Sequence, residues 1–121
     1  MKVYHPELAS GRWFTFSIAE QLANVGSEYE RALRAKQQDD PERFKHALAR
    51  MLELMDLTIA DARWQNHRLR ELCRVRGIMC EQLCSEHPEP WARKDLRDYF
   101  LQFGILARNE RERNRTLRMA S

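Results

Sequence analysis

The stretch from Ile18 to Pro41, IAEQLANVGSEYERALRAKQQDDP, contains the pattern that decides the fold. Its apolar residues recur at alternating steps of four and three, which is the spacing of one face of an amphipathic helix. The pattern stops before Asp40-Pro41, where an aspartate can cap a new helix and a proline fits the first helical position. We therefore predict a first helix from about Arg12 to Lys36 and a second that begins at Pro41. The apolar face of the first helix comprises Ile18, Leu22, Val25, Tyr29 and Ala32.

The rest of the chain repeats this pattern three times. The second helix is predicted to run to Ala60, with a break from Asp61 to Gln65 and Asn66 as the N-cap of the third. The third helix covers about 66–85 and ends at His87-Pro88-Glu89-Pro90, because neither proline can continue the ladder of hydrogen bonds. The fourth begins near Pro90 or Trp91. The predicted core positions of these helices are Phe44, Leu48, Met51 and Met55, then Leu69, Leu72, Met79 and Leu83, then Leu96, Phe100, Phe103 and Ala107.

Four helices with short connections predict an all-α, antiparallel, up-down-up-down four-helix bundle. The 121 residues fit one domain, and four glycines and four prolines are too few for a turn-rich sandwich or barrel. We assign residues 1–110 to the bundle. Residues 111–121 are rich in arginine and contain one leucine, so we expect a frayed or disordered C-terminal tail.

Several apolar residues lie away from the core faces on a helical wheel. A bundle of this size has a single interior, so a second apolar face predicts contact with another subunit. The alternative is that single exposed apolar side chains have no partner. We predict a homo-oligomer with an interface formed by Trp13, Phe16, Leu54, Leu57, Leu101 and Ile105.

The net charge of +3 is unevenly distributed. Residues 1–61 contain 8 basic and 10 acidic residues, whereas residues 62–121 contain 13 and 8, and 17 of the 21 basic residues are arginine. Arginine pairs with phosphate through two hydrogen bonds, so one interpretation is nucleic-acid binding, and the other is a solvated surface. The candidate nucleic-acid-binding residues are Arg68, Arg70 and Arg74 on the third helix, Arg63, which joins them if the helix extends that far, and Arg111, Arg113 and Arg115 in the tail.

Arg76 falls on the apolar face of the third helix, between Leu72 and Met79. A charge in that position needs a partner. Asp56, Asp98 and Glu20 are the candidates, and the sequence does not choose among them.

Three glycines interrupt predicted helices: Gly26, Gly77 and Gly104. Each costs about 1 kcal/mol relative to alanine in a helix interior. We therefore expect them where two helices approach closely.

Catalytic and metal-binding patterns are absent from the sequence. It has no His-Glu-x-x-His, no glycine-rich phosphate loop and no Gly-x-Ser-x-Gly. Cys73, Cys80, Cys84 and His87 share one helical face, but their spacing is unusual for zinc, and we expect the cysteines to pack as small apolar groups. We predict a protein that is not an enzyme, with no cofactor, no metal and no small-molecule substrate.

No apolar run approaches the about 20 residues that a membrane-spanning helix needs, and the N-terminus has no apolar segment of the kind that directs export. Three cysteines are an odd number, which fits reduced thiols. These features predict a cytoplasmic protein with no membrane partner.

Two segments carry a resemblance to a bacterial family. They are FSIAEQLANVGSEYERALRAKQ, from Phe16 to Gln37, and ALARMLELMDLTIADARWQNHRLRELCRVRG, from Ala47 to Gly77. Together they resemble the small helical proteins related to those encoded in intervening sequences of bacterial 23S rRNA, and the accessory proteins of diversity-generating retroelements. The resemblance covers about half of the chain and implies an up-down-up-down bundle, assembly of five bundles into a ring, and binding of nucleic acid beside a reverse transcriptase.

The chain departs from the retroelement proteins, which are basic, because its net charge is small and its first half is acidic. We therefore expect a non-enzymatic oligomeric scaffolding or protein-interaction module, and possible partners are a second copy of the chain, in a pentamer, and RNA or DNA. The alternative function is a nucleic-acid-binding accessory protein that uses the basic face of the third helix.

Overall fold

The computed structural model describes residues 4–120, and this part of the chain holds four helices of seven or more residues and no strand. A single turn, α1 (Pro6–Ala9), and a 3-10 turn (Arg12–Thr15) precede α2 (Ile18–Gln37) and α3 (Pro41–Ala60). A second 3-10 turn (Ala62–Trp64) leads to α4 (His67–Cys84) and α5 (Pro90–Ala120). None of these helices is both long enough and apolar enough to cross a membrane.

The first long helix begins later than the apolar pattern suggests. The Ser17 hydroxyl accepts a hydrogen bond from the Glu20 amide at 3.1 Å, and the Glu20 carboxylate accepts one from the Ser17 amide at 3.2 Å. This reciprocal pair is a capping box, which satisfies two amides that the first turn leaves unpaired. The prediction of a helix from Arg12 was therefore wrong, since α2 starts at Ile18 and Arg12–Thr15 forms the separate 3-10 turn.

The other predicted helix starts are confirmed. Asp40 caps α3 by accepting a hydrogen bond from the Arg43 amide at 3.2 Å, and Pro41 is the first residue of that helix. Asn66 caps α4 through the Arg68 amide at 2.9 Å. In each case a short polar side chain binds an amide that has no partner inside the helix.

The helices enclose one apolar core. Each long helix packs against the next along the chain, and α5 also packs against α2. The predicted core positions of α5, which are Leu96, Phe100, Phe103 and Ala107, are all buried, as are Met51, Met55, Leu72, Met79 and Leu83. Phe44, Leu48 and Leu69 are only partly buried.

The prediction that several helices carry a second, exposed apolar face is wrong except on α5. Trp13 and Leu54 lie inside the monomer, 0% and 3% exposed, and Phe16 and Leu57 pack half-buried against the same core. The 3-10 turn aims the Trp13 ring into the interior, which a wheel built on a continuous helix cannot reproduce. Leu101 and Ile105 on α5 are 59% and 48% exposed, so α5 alone keeps part of the predicted apolar surface.

Only one glycine lies where close packing requires it. A Cβ atom on Gly26 would stand 2.8 Å from Cβ and Cγ of Phe100, so this position brings α5 onto α2. Gly77 and Gly104 have open space beside them, which contradicts the expected close contact at these two positions.

Arg76 pairs with Asp56 across the α3–α4 boundary. Its Nε donates to the Asp56 carboxylate at 2.9 Å, and both side chains are more than a third exposed. The arginine therefore leaves the apolar face for the surface, and Asp98 and Glu20 are not its partners.

The expected disordered tail is helical in the structure. The helix α5 continues to Ala120, and all residues from 111 to 120 are exposed. Ser17 Oγ donates to Glu110 at 2.7 Å, just before this extension begins. At 1.5 Å per residue the extension adds about 15 Å to the helix.

Candidate nucleic-acid interface

Arg63, one of the predicted nucleic-acid-binding residues, is held in an ion pair. Its Nε and a terminal nitrogen donate to the two oxygens of Asp61 at 3.0 and 2.7 Å, and that terminal nitrogen also donates to the Phe16 carbonyl at 2.6 Å. Its guanidinium lies 4.6 Å from the centre of the Trp64 ring. A phosphate would have to displace these contacts, so Arg63 is a poor candidate for the interface.

The same carboxylate belongs to a buried network that we call the polar anchor, which consists of Trp13, Gln21, Thr58, Asp61, Arg63 and Trp64. The Gln21 amide donates to Asp61 and to the Trp13 carbonyl, both at 3.0 Å, and accepts from the Trp64 indole at 2.8 Å. The Trp13 indole donates to Thr58 at 3.0 Å. These bonds join the first 3-10 turn to α2, α3 and the α3–α4 connection.

The Arg63 side chain, through its hydrogen bonds, lowers the pKa of Asp61 to about 2 from an ordinary 3.8, against the opposing effect of burial. The same contact raises the pKa of Arg63. Because Gln21 and the Arg63 amide also bind the carboxylate, the polar anchor stabilises Asp61 as an anion.

The remaining predicted arginines divide into paired and unpaired groups. Arg68 lies 3.6 Å from Glu71, and Arg115 donates to Glu112 at 2.9 Å. Arg70 and Arg74 on α4 and Arg113 on α5 are exposed and form no hydrogen bond or ion pair with residues 4–120. Arg111 lies in a groove that the α4 residues do not reach.

This groove, which we call the arginine groove, runs between α2 and α5 and has a volume of about 660 Å³. Its floor is made of small residues and one aromatic ring, and its walls carry arginines. The small side chains leave the depression open, and the Phe100 ring gives it an apolar base. The floor includes Ala23, Gly26, Ser27, Phe100, Gly104 and Ala107, and the walls include Arg31, Arg34, Arg97 and Arg111.

Arg34 stands where the arginine groove meets two further depressions, each of about 390 Å³. One lies toward α3 and contains Arg43, His46 and Arg50, and the other contains Arg93 and Lys94. The surface past Arg34 therefore continues with an unpaired arginine, Arg93, in one direction, whereas Arg43 and Arg50 in the other direction are paired with Asp40 and Glu28.

Four arginines of this surface have no partner within the described chain. Arg34, Arg93, Arg97 and Arg111 form no hydrogen bond or ion pair with residues 4–120. Glu30 is the acidic residue among the groove side chains. Unpaired guanidinium groups on two facing helices keep all their donors for an external oxyanion.

Other arginines at the groove are already neutralised. Glu28 is buried on α2, and its two oxygens accept from Arg31 at 2.9 Å and from Arg50 at 3.1 Å. This triad fixes α3 against α2. The charge available to a ligand therefore comes mainly from the unpaired arginines.

The cysteine face of α4 is more exposed than predicted. Cys73 and Cys84 are exposed, so the expectation of apolar packing was wrong for both, and Cys80 is partly buried. Burial raises the pKa of the Cys80 thiol, which makes it a weaker nucleophile at neutral pH. Among residues 4–120 no group of three or more His, Cys, Asp or Glu side chains could hold a metal ion.

Sequence reasoning missed Arg34, Arg93 and Arg97. A usable signal was present on α5, where Arg93, Arg97, Arg108 and Arg111 lie on one side of the helix at roughly 100° per residue. This side becomes visible only when the tail is treated as part of the helix.

Comparison of the chain with protein-family models, with curated proteins and with solved structures finds no match.

Proposed function

We propose that the protein binds the phosphate backbone of nucleic acid through the arginine groove and performs no catalysis. The observation that carries the proposal is the set of unpaired arginines on its two sides: Arg34 on α2, and Arg93, Arg97 and Arg111 on α5. Phosphate contacts of this kind supply sequence-independent affinity. The proposal moves the candidate interface from α4 to α2 and α5.

The groove suits a chain of phosphates better than a single small anion. It is continuous with two further depressions at Arg34, and its charges are spread along the helices instead of converging on one point. Arg111, the first residue of the α5 extension, lengthens the same positive surface at its far end.

We further propose that the helices form an antiparallel up-down-up-down bundle. The connections support this, since α2 and α3 are joined by residues 38–40 and α4 and α5 by residues 85–89. Connections of this length favour antiparallel neighbours. In such a bundle one side of the α2–α5 boundary faces solvent along its whole length.

The test is binding of a labelled single-stranded RNA of about 20 nucleotides, measured by fluorescence anisotropy across a salt series, with duplex DNA in parallel. The variant is Arg34→Gln with Arg97→Gln. Its matched control is Arg70→Gln with Arg74→Gln, which removes the same charge from two exposed, unpaired arginines on α4.

We expect the groove variant to bind roughly tenfold or more weakly and its log–log salt slope to fall by about 1.4, at about 0.7 per lost phosphate contact on a single strand. The affinity and the salt slope of the control variant should stay close to those of wild type. Absence of salt-dependent binding to both RNA and DNA contradicts the proposed function. An equal loss in both variants contradicts the groove as its site.

A second candidate function, a structural module that associates with itself, is favoured by the exposed apolar residues of α5. Leu101, Ile105 and Leu106 are each more than 40% exposed and lie around one shallow depression. We propose self-association through this helix. The ring of five subunits that the resemblance implies is one form of it, and a mass measurement in solution distinguishes the forms.

A further inference from the structure

One exposed face of α5 has the spacing of a helix–helix seam. The residues Lys94, Asp98, Leu101, Ile105, Arg108 and Glu112, which we call the α5 seam, follow one another at steps of four and three. All six are exposed and lie within about 80° of the helix circumference, at roughly 100° per residue. Alternating steps of four and three are the spacing of the contact positions in paired helices.

The α5 seam of one copy is complementary in charge to the α5 seam of a second copy that lies antiparallel to it. When two copies are laid antiparallel and centred at the level of Phe103, Leu101 faces the partner's Ile105. In the same register Asp98 faces the partner's Arg108, and Lys94 faces the partner's Glu112. The seam therefore has an apolar centre with a pair of opposite charges on each side of it, and two-fold symmetry repeats every pair.

Other arrangements of the same residues are unfavourable. A parallel pair would set each charged residue against its own copy, so that four like-charged contacts would replace the opposite-charged ones. A shift of one step along the antiparallel register sets Asp98 against the partner's Glu112 and Leu101 against the partner's Arg108. A shift of one step the other way sets Lys94 against the partner's Arg108 and Asp98 against the partner's Ile105. Charge complementarity thus selects one orientation and one register.

We propose that the α5 seam binds the α5 seam of a second copy, antiparallel, with the two-fold axis level with Phe103. This inference rests on the self-association proposed above and specifies its surface and geometry. It does not rest on nucleic-acid binding in the arginine groove, although Leu101 lies beside both surfaces.

The pairing also gives a partner to the part of α5 that extends past the rest of the chain. In the proposed register the segment after Glu110 lies along the first turns of the partner's α5, and Arg115 reaches the level of the partner's Trp91. Trp91 is 59% exposed, and a guanidinium can stack on its ring. A polar helix end with no packing of its own is marginal in water, and a second helix beside it stabilises it.

Contacts within one chain do not oppose the pairing. Lys94 lies 3.3 Å from Asp98 one turn along the helix, and both side chains are more than half exposed. Such a pair contributes little and can share its charges with a neighbouring helix. Glu112 accepts a hydrogen bond from Arg115 at 2.9 Å, and both of these side chains are also more than half exposed. Arg108 forms no hydrogen bond or ion pair with residues 4–120.

The experiment uses two charge reversals, Asp98→Arg and Arg108→Asp, with the mass of each protein measured by light scattering over a concentration series. The wild-type protein is expected at twice the 14.5 kDa of one chain. Each reversal sets like charges together at two symmetric places, so both variants are expected as monomers. When the two are mixed, opposite charges meet at both places, and a heterodimer is expected.

Asp95→Arg is the matched control, because Asp95 is exposed on α5 and lies outside the seam. This variant is expected to stay dimeric, and circular dichroism checks that every variant is folded. A monomeric wild-type protein, or an oligomer with an odd number of chains, overturns the proposal and leaves nucleic-acid binding untouched. Dimers that survive both reversals, or reversals that do not pair when mixed, overturn the α5 register alone.

Discussion

The polar anchor and the arginine groove use similar residues in opposite ways. In the polar anchor, Arg63 binds a buried carboxylate and a backbone carbonyl, and each neighbouring polar side chain has a partner inside the protein. In the arginine groove, Arg34 and Arg97 bind nothing among residues 4–120. One region is closed on itself and the other is open to solvent.

The number of arginines in a segment is therefore a weak guide to its function. A guanidinium that is bound to partners inside the protein contributes to folding, whereas one without such partners is available to a ligand. Arg63 and Arg34 are indistinguishable by residue type, and only their partners assign them to different roles. If the contrast is correct, substitutions in the polar anchor should change stability, and those in the groove should change binding.

The largest expected effect is that of Trp13→Ala in the polar anchor. Trp13 is fully buried, and its indole donates to Thr58, so its loss leaves a cavity and removes that hydrogen bond. We expect a loss of about 3–5 kcal/mol in the free energy of unfolding, measured by urea denaturation.

Phe14→Ala is the control for this substitution, because the neighbouring ring is 37% exposed. It should cost less than about 1.5 kcal/mol. Equal losses in the two variants would show that the 3-10 turn does not anchor the bundle through Trp13.

An intermediate effect with a pH signature is expected for Asp61→Asn. The pKa of Asp61 is about 2 in the folded chain against an ordinary 3.8, so its carboxylate contributes about 2 kcal/mol above about pH 4. Because the folded pKa is the lower one, this contribution is lost as the pH falls toward 2. The midpoint temperatures of thermal unfolding of wild type and variant should therefore differ at pH 7 and converge as the pH approaches the folded pKa of Asp61.

The exposed and unpaired Asp95 offers a control through Asp95→Asn, which should show no such convergence. If the difference in midpoint temperature between wild type and Asp61→Asn stays constant down to pH 2, the carboxylate does not act as an anion in the polar anchor.

The smallest effect tests the open floor of the arginine groove. A methyl group at Gly104 meets no atom within 4 Å, so Gly104→Ala should stabilise α5 by roughly 0.5–1 kcal/mol. Gly26→Ala is the opposite case, because the new Cβ would stand 2.8 Å from Phe100 and force α5 away from α2. Denaturation should give changes of opposite sign in the free energy of unfolding for the two variants. A Gly104→Ala variant less stable than wild type would contradict an open groove.

Local patterns in the sequence predicted the helices well. Asp40-Pro41 and Asn66 fix helix starts because capping depends on a few neighbouring residues, and the spacing from Leu96 to Ala107 is enough to identify the buried face of α5. The start of α2 was predicted wrongly although its signal was local. Ser17 and Glu20 stand at capping-box spacing in the sequence.

The candidate site could not be predicted in the same way, because it depends on which helix faces meet. The partner of Arg63 is set by a 3-10 turn, and the burial of Leu54 is set by the depth to which α3 packs. The groove exists only once Gly26 brings Phe100 against α2. Spacing along one helix contains no information about these contacts between helices.

The direction in which the last arginines of α5 point is set by the buried part of the same helix. From Pro90 to Ala120 the helix has no interruption, so the buried residues near Phe103 fix the rotational phase of everything after them. One residue inserted after Asn109 would turn the extension by about 100° while leaving the charge of the chain the same. The orientation of the extension can thus be changed separately from its composition.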